Sequence, residues 1–392
     1  MTASRGRRAS PRGGSIEAIG WGIFCASSWA WCIGLFLPTV LRRLLGWPGF
    51  LAFAIPNVIG CAAFGFVLDL KRSRRLQRDH RGAMVLFSAV TIAYQLLLAG
   101  WTASALLGPM LGGDGQPVSW QRWAASGIGL GCAGTIGLAV SFARDRLIPA
   151  IAAVAWLLSA GVLGFTVFDV APIAMPEPEL AAAQVWGLLP ALLLGFLLCP
   201  YLDLTFHRAL RHGPRRATFA TFGVTFATLI VLVAFLADPD GPLGIRLTPL
   251  VLAQLWVQLG FTIGAHSREI RLATQHAPGP MPRWITPAAI AAGAILALPG
   301  IAGEPNYLRM LGWYGLVFPA YVLLAMVGER RKPMLRTWLL LAVVLAIGLP
   351  LYERGISAFE FGWMAIPAPI LLASAWWLRR RSSGSGSASA GK

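Results

Sequence analysis

Apolar segments of about 20 residues recur along nearly the whole of this chain, and each is long enough to cross a ~30 Å hydrocarbon core as a helix. Of the 392 residues, 56% are hydrophobic and only 12% are charged. A soluble protein carries about 25% charged residues, so this chain lacks the polar surface that a soluble fold requires. The composition excludes a soluble enzyme and predicts an all-α polytopic membrane protein.

The apolar stretches predict about twelve transmembrane segments, numbered here 1 to 12: 17–41, 47–68, 83–106, 123–142, 147–168, 183–206, 217–237, 246–266, 284–303, 307–328, 335–352 and 358–378. A basic N-terminus, 1–16, precedes them, and a flexible tail rich in Ser and Gly, 379–392, follows. Segment 1 is too long for the apolar core of a signal peptide, so we expect an uncleaved first helix.

In this layout most of the basic residues lie on one side of the membrane. The net charge is +17, which in a soluble protein would suggest nucleic acid, but here 27 of the 33 Lys and Arg residues lie in alternate loops, with the N-terminus. The positive-inside rule therefore predicts a cell-membrane protein (inner or plasma membrane) with both termini cytoplasmic. It also predicts anionic lipids as partners and no nucleic acid. The oligomeric state stays open.

Catalytic and metal-binding motifs are missing from the sequence. The five cysteines lie in apolar stretches without a CxxC pair, and HExxH, GxSxG and P-loop motifs do not occur. The glycine-rich stretch 127–137 lies inside segment 4, where it favours close helix packing. All five histidines fall in or beside predicted cytoplasmic loops. We expect no enzyme activity, no catalytic residue, no metal and no cofactor.

Segments 1 and 2 contain several residues that disfavour a continuous helix. Ser27, Ser28 and Gly34 weaken the helix, and Pro38 interrupts its hydrogen-bond ladder. Pro56-Asn57 adds a second break and a buried amide. Exposed backbone at membrane depth is tolerated where it lines a cavity, so we predict a non-helical stretch between Ser27 and Pro38. The alternative is an ordinary proline kink.

Segment 6 carries the second break signal, with Pro200 predicting a non-helical stretch within Leu197–Leu202. Asp203 follows it, and an acid within a span is by default a functional candidate because its insertion is costly. The alternative places Asp203 at the inner interface, paired with His207 or Arg208.

The two break signals lie five segments apart, which is the offset of inverted-repeat transporters. The domain prediction is therefore a first five-helix unit at 17–168, an inverted second unit at 183–328, and two additional helices at 335–378.

Two stretches resemble the amino acid–polyamine–organocation superfamily, whose members share the LeuT-type fold. Ile33–Asn57 is similar to the broken first helix and second helix of sodium-coupled symporters, and Pro200–Phe219 to the sixth helix and inner loop of amino-acid permeases. Together they cover about 60 of the 392 residues. The resemblance implies substrate bound beside the two breaks, and Na⁺ between segments 1 and 8. Segment 8 offers Thr262 there, without the adjacent hydroxyl pair of the family.

We therefore expect a secondary transporter of a small polar organic solute that works by alternating access. Whether Na⁺ or H⁺ couples transport stays open, with Asp203 and Thr262 as the ion-coupling candidates. The substrate-binding candidates are mainly aromatic and polar: Ser28, Trp29, Trp31, Gly34, Asn57, Tyr94, Gln95 and Tyr201.

Two alternatives remain. Gly65–Asp69 and the basic run after it look like a loop signature of the major facilitator superfamily, although Ser73 stands where that signature needs glycine. The other alternative is a non-transporting scaffold or a lipid-modifying membrane protein. Contacts of helix 1 with helices 6 and 8 favour the inverted-repeat fold, and a twofold between halves favours the facilitator fold.

Overall fold

The computed structural model describes residues 11–30, 32–111, 119–168, 177–234, 244–275, 284–327 and 334–384. All regular secondary structure in these ranges is helical. The main helices are α1 Pro11–Trp29, α2 Phe36–Val67, α3 Leu70–Asp79, α4 Arg81–Met110, α5 Ser119–Ser141, α6 Ile148–Phe168, α7 Gln184–Leu198, α8 Leu204–His212, α9 Arg215–Ala234, α10 Gly244–Gln275, α11 Ile285–Leu296, α12 Glu304–Val327, α13 Leu335–Ser357 and α14 Pro367–Gly384.

The all-helical, multi-pass class predicted from composition is confirmed. Among the described residues, eight helices are long and apolar enough to cross a membrane: α2, α4, α5, α6, α7 with the turn that follows it, α9, α12 and α13. Each of the twelve predicted segments overlaps a helix, but α11 is a shorter apolar helix. The count of twelve spans therefore stays a prediction.

The first break lies within the predicted stretch. α1 ends at Trp29 and α2 begins at Phe36. Pro38 does not cause the interruption, contrary to the sequence interpretation. It lies in the first turn of α2, where a missing N–H leaves no helical hydrogen bond unmade. Gly46 then turns the chain within α2 at φ 66°, a left-handed conformation that favours glycine, and so divides predicted segments 1 and 2.

The second break also lies where Pro200 predicts it. α7 ends at Leu198, a 3₁₀ turn covers Cys199–Tyr201, and α8 begins at Leu204. Asp203 caps α8, since its side chain accepts a hydrogen bond from the Thr205 N–H at 2.7 Å. This cap explains why the helix restarts directly after the break.

The helices pack in two groups around these breaks. One group is α4, α5, α10 and α11, and the other is α1, α2, α7 and α9. α1 also contacts α8 and α10. Small residues bring α5 and α10 together, because a Cβ added at Gly137 would lie 2.7 Å from Ile263, as the glycine-rich stretch predicts. The end of α1 thus meets both the second break and the other helix group.

One end of the molecule is strongly basic, and we call it the basic end. It comprises α3, α8, the turn 142–147 and the C-terminal turns of α10. α10 continues to Gln275, beyond the predicted limit of segment 8 at residue 266. In this extension Arg268 pairs with Asp145, and Glu269 pairs with Arg208 of α8. These parts belong to the predicted cytoplasmic side.

Candidate functional site

The two breaks are joined by a short chain of hydrogen bonds. The Ser28 hydroxyl, at the end of α1, lies 3.0 Å from the Thr205 hydroxyl at the start of α8. The Thr205 hydroxyl donates in turn to Oδ1 of Asp203 at 2.7 Å. All three residues are fully buried. Residues 177 positions apart in sequence are thereby placed in one buried polar site.

Asp203 retains acceptor capacity that the protein does not use. Its Oδ1 accepts from both the N–H and the hydroxyl of Thr205, while Oδ2 has no hydrogen-bond partner among the described residues. The alternative pairing with Arg208 is wrong, because Arg208 binds Glu269 and Asp145 instead. A buried carboxylate oxygen without a partner carries a desolvation cost that a bound proton or cation would relieve.

The free carbonyl at the end of α1 is satisfied from α10. The Ser27 carbonyl accepts from Gln258 Nε2 at 2.6 Å and from the Thr262 hydroxyl at 3.1 Å. Thr262, predicted to couple an ion, therefore already bonds to backbone. Gln258 also contacts the Ser159 hydroxyl at 3.1 Å, and this hydroxyl accepts from Gln254 at 2.7 Å. Sequence reasoning missed these amides because an isolated Gln in an apolar segment does not reveal which face it occupies.

His266 is a further buried residue that the sequence interpretation placed beside a loop. It is fully buried within α10, with Nδ1 3.1 Å from the Ser88 hydroxyl of α4. Nε2 makes no hydrogen bond among the described residues. The burial of His266 could have been inferred from its position at the very end of segment 8, because a helix that continues past the predicted limit buries this residue.

Trp29 and Asn57 form the side of the site that faces an aromatic cluster. Trp29 donates from Nε1 to Oδ1 of Asn57 at 2.9 Å, and the Asn57 Nδ2 has no partner among the described residues. The Trp29 ring stacks 6.2 Å from Phe87 and meets Phe206 edge-on at 5.3 Å. These predicted residues, from α1 and α2, therefore do lie together at the first break.

The remaining predicted residues are distributed more widely. A Cβ at Gly34 would lie 2.6 Å from the Trp29 carbonyl, so this position packs against the site rather than lining a space. The Tyr94 carbonyl accepts weakly from the Cys32 thiol at 3.6 Å, and the buried Gln95 has no partner for its Oε1 within the described part of the chain. Tyr201 lies apart, facing a cavity at the basic end. Trp31 lies outside the described residues.

We call the assembled residues the central polar cluster, and they come from five helices and the second break: Ser27, Ser28, Trp29, Asn57, Ser88, Asp203, Thr205, Gln258, Thr262 and His266. Three of its buried atoms, on Asn57, Asp203 and His266, have no partner among the described residues. These donor and acceptor atoms can bind a polar solute and a proton or cation. No group of three His, Cys, Asp or Glu side chains suited to a metal occurs in the part of the chain that the structure describes.

Comparison with known proteins gives distant similarities. No protein-family model matches the chain, and no curated protein sequence matches it. A crystal structure of the Eremococcus coleocola manganese transporter with an aromatic bis-isothiourea compound is similar over 94% of this chain and 92% of that chain, at 14% identity and a TM-score of 0.43. The structure of a mutant of the same transporter is similar over 97% of this chain and 98% of that chain, at 13% identity and a TM-score of 0.41. We take neither the fold nor the substrate of this chain from these matches.

Proposed function

We propose that the protein is a multi-pass secondary transporter of a small polar organic solute, with the central polar cluster as its binding site. The observation that carries this proposal is the direct link between two interrupted helices through Ser28, Thr205 and Asp203. Lipid cannot satisfy interrupted backbone, which is tolerated where it lines a cavity or is buried in protein. Two breaks that meet at one buried polar cluster are typical of secondary transporters that work by alternating access around a fixed site.

The helix contacts support an inverted-repeat layout within this proposal. α1 contacts α8, whose first three residues belong to predicted segment 6, and α10, which contains predicted segment 8. This is the contact pattern that favours two inverted five-helix units, 17–168 and 183–328, over the facilitator fold. The additional helices at 335–378 lie outside the two units. Cytoplasmic termini in a cell membrane belong to the same proposal, because the basic end would face inward.

Coupling to H⁺ is better supported than coupling to Na⁺. Asp203 and His266 both carry an ionisable side chain, both are fully buried, and each has a polar atom without a partner among the described residues. Thr262, in contrast, donates its hydroxyl to a backbone carbonyl. A buried carboxyl group and a buried imidazole can each take up and release a proton as their surroundings change between water and protein. The aromatic and amide groups of Trp29 and Asn57 suit a small polar organic molecule.

The test is solute uptake by purified protein in proteoliposomes under an imposed proton or sodium gradient. Asp203→Asn keeps shape and capping but removes the charge, so we expect loss of gradient-driven accumulation while solute exchange persists. Asp69→Asn is the matched control, because Asp69 caps α3 in the same way, accepting from the Arg72 N–H at 2.7 Å outside the cluster. We expect it to retain both activities.

Two results would contradict the proposal. Absence of flux for every polar solute tested, with correctly folded protein, would favour a membrane scaffold. Normal accumulation by Asp203→Asn would leave transport in place but remove Asp203 from coupling.

A further inference from the structure

A cavity of about 380 Å³ lies at the basic end, separate from the central polar cluster. Four helices contribute to its wall. Its charged lining residues come from α3, α4, α8 and α10, and they are Arg74, Arg78, Arg81, Arg208, Arg211 and Glu269. We call this space the arginine cavity.

Only some of these charges are neutralised within the protein. Arg208 binds Glu269, and Arg78 lies 2.9 Å from Asp79. Arg74, Arg81 and Arg211 have no carboxylate within ion-pair distance among the described residues. Arg211 instead donates to the neutral amide oxygen of Gln77 at 2.7 Å. Three cationic groups from three helices therefore line one cavity without an ion-pair partner among the described residues.

The surroundings of Arg211 also have an excess of positive charge. Partial burial lowers the pKa of Arg211, and the neighbouring charges of Arg208 and Arg74 lower it further. Glu269 and Asp145 oppose this effect without cancelling it. A ligand with negative charge would relieve this repulsion.

We propose that the arginine cavity binds a phosphate group. Guanidinium groups present paired N–H donors that match phosphate oxygens, and several of them around one site favour a multiply charged anion over a chloride or a single carboxylate. The volume falls within the ~300–1,000 Å³ of small-molecule sites. The phosphate is carried either by a soluble compound or by the headgroup of an anionic phospholipid, because the same chemistry recognises both.

Such a ligand would add to the hydrogen bonds that already join α3 and α8, between Gln77 and Arg211 and between Ser73 and His207. Arg74 belongs to α3, and Arg211 belongs to α8, the half-helix that follows the second break. A phosphate bound by both would hold α8 against α3. The site does not depend on the proposed transport function, because it is defined by its own cations and can be tested by binding alone.

The experiment measures ligand affinity for the full-length protein in an uncharged detergent and in nanodiscs. The soluble probe is pyrophosphate. The lipid probe is phosphatidic acid in phosphatidylcholine nanodiscs, with phosphatidylcholine alone as the reference. The test variant is Arg74→Gln with Arg211→Gln, and Arg81→Gln tests the site independently from α4. Lys71→Gln is the matched control, because it removes an exposed positive charge from α3 outside the cavity.

We expect each cavity substitution to weaken binding about tenfold or more, since charge-assisted hydrogen bonds are among the strongest. Lys71→Gln should change it little. If the cavity substitutions weaken pyrophosphate binding, the ligand is a soluble phosphate compound. If they weaken only the binding of phosphatidic acid, the ligand is a lipid headgroup. Both results support the site. No binding of either probe, or an equal effect of Lys71→Gln and Arg81→Gln, overturns it. Thermal unfolding of each variant without ligand verifies that the comparison concerns folded protein.

Discussion

The two helix breaks differ in how their polar groups are satisfied. At the first break, neutral side chains from other helices bind the exposed carbonyls: Gln258 and Thr262 bind that of Ser27, and the Tyr307 hydroxyl binds that of Cys32. At the second break, the chain supplies its own charged cap, Asp203, and one oxygen of this cap is left without a partner.

This difference indicates a division of roles. Buried polar groups whose hydrogen bonds are all made stabilise one conformation. A buried polar group without a hydrogen-bond partner costs free energy until a ligand or proton binds it. We therefore interpret the first break as a joint that positions α1 against α10. We interpret the second break as the proposed coupling site, because among the described residues of the two breaks only Asp203 is an acidic group with an unused acceptor.

α2 and α8, the helices that follow the two breaks, are also held by different ion pairs, which we call anchors. After the first break, Arg43 in α2 pairs with Glu179 and Glu304, and its side chain is 42% exposed. After the second break, Arg208 in α8 pairs with Glu269, and both are 5–6% exposed. A buried pair leaves an uncompensated charge when one partner is removed, whereas an exposed pair does not.

The largest effect is expected from breaking the buried anchor. Glu269→Gln leaves Arg208 and Arg268 to share Asp145, and should lower the free energy of unfolding by about 3 kcal/mol. The matched change at the exposed anchor, Glu179→Gln, should cost about 0–1 kcal/mol. Denaturant or thermal unfolding in detergent measures both. Equal losses for the two variants would mean that the anchors do not differ.

A smaller effect is expected at the first break. Gln258→Leu removes the shorter of the two hydrogen bonds to the Ser27 carbonyl and should destabilise the protein by about 1–3 kcal/mol. Thr262→Val leaves the Gln258 bond in place and should cost less. Thr228→Val is the control, because the Thr228 hydroxyl bonds only to its own helix and is exposed. If Gln258→Leu behaves like Thr228→Val, the joint has no energetic role.

The smallest change in stability is expected at the second break. Asn caps a helix about as well as Asp, so Asp203→Asn should alter the free energy of unfolding by less than about 0.5 kcal/mol. Its effect should appear in coupled uptake instead. The comparison of the breaks fails if this variant unfolds as readily as Gln258→Leu, because Asp203 would then be a structural residue.

The sequence predicts the positions of both breaks because their signals are local. Pro38 and Pro200 restrict the backbone conformation and Gly34 weakens a helix wherever they occur, so their effect can be predicted without knowledge of the fold. The cause at the first break was nevertheless misassigned, since Pro38 begins α2 rather than interrupting a helix. Distinguishing these roles requires knowing where the helix starts, which the apolar pattern does not mark.

The partners of the site could not be predicted because they depend on long-range contacts. Arg208 binds Glu269, 61 positions away, rather than the neighbouring Asp203. Likewise, local polarity predicts His266 beside a loop, but this residue of α10 is buried against α4. Local charge pairs are the natural expectation along a helix, and tertiary packing replaced them here.

The most direct test of the central claim uses a native thiol. Cys199 begins the second break and is 1% exposed in the structure. In a variant with Cys199 as the only cysteine, reconstituted in liposomes, we expect a small polar methanethiosulfonate to react at the rate at which the transporter opens. Solute binding should slow this reaction. If Cys199 reacts only after unfolding, the second break does not open to water, and the alternating-access account is contradicted.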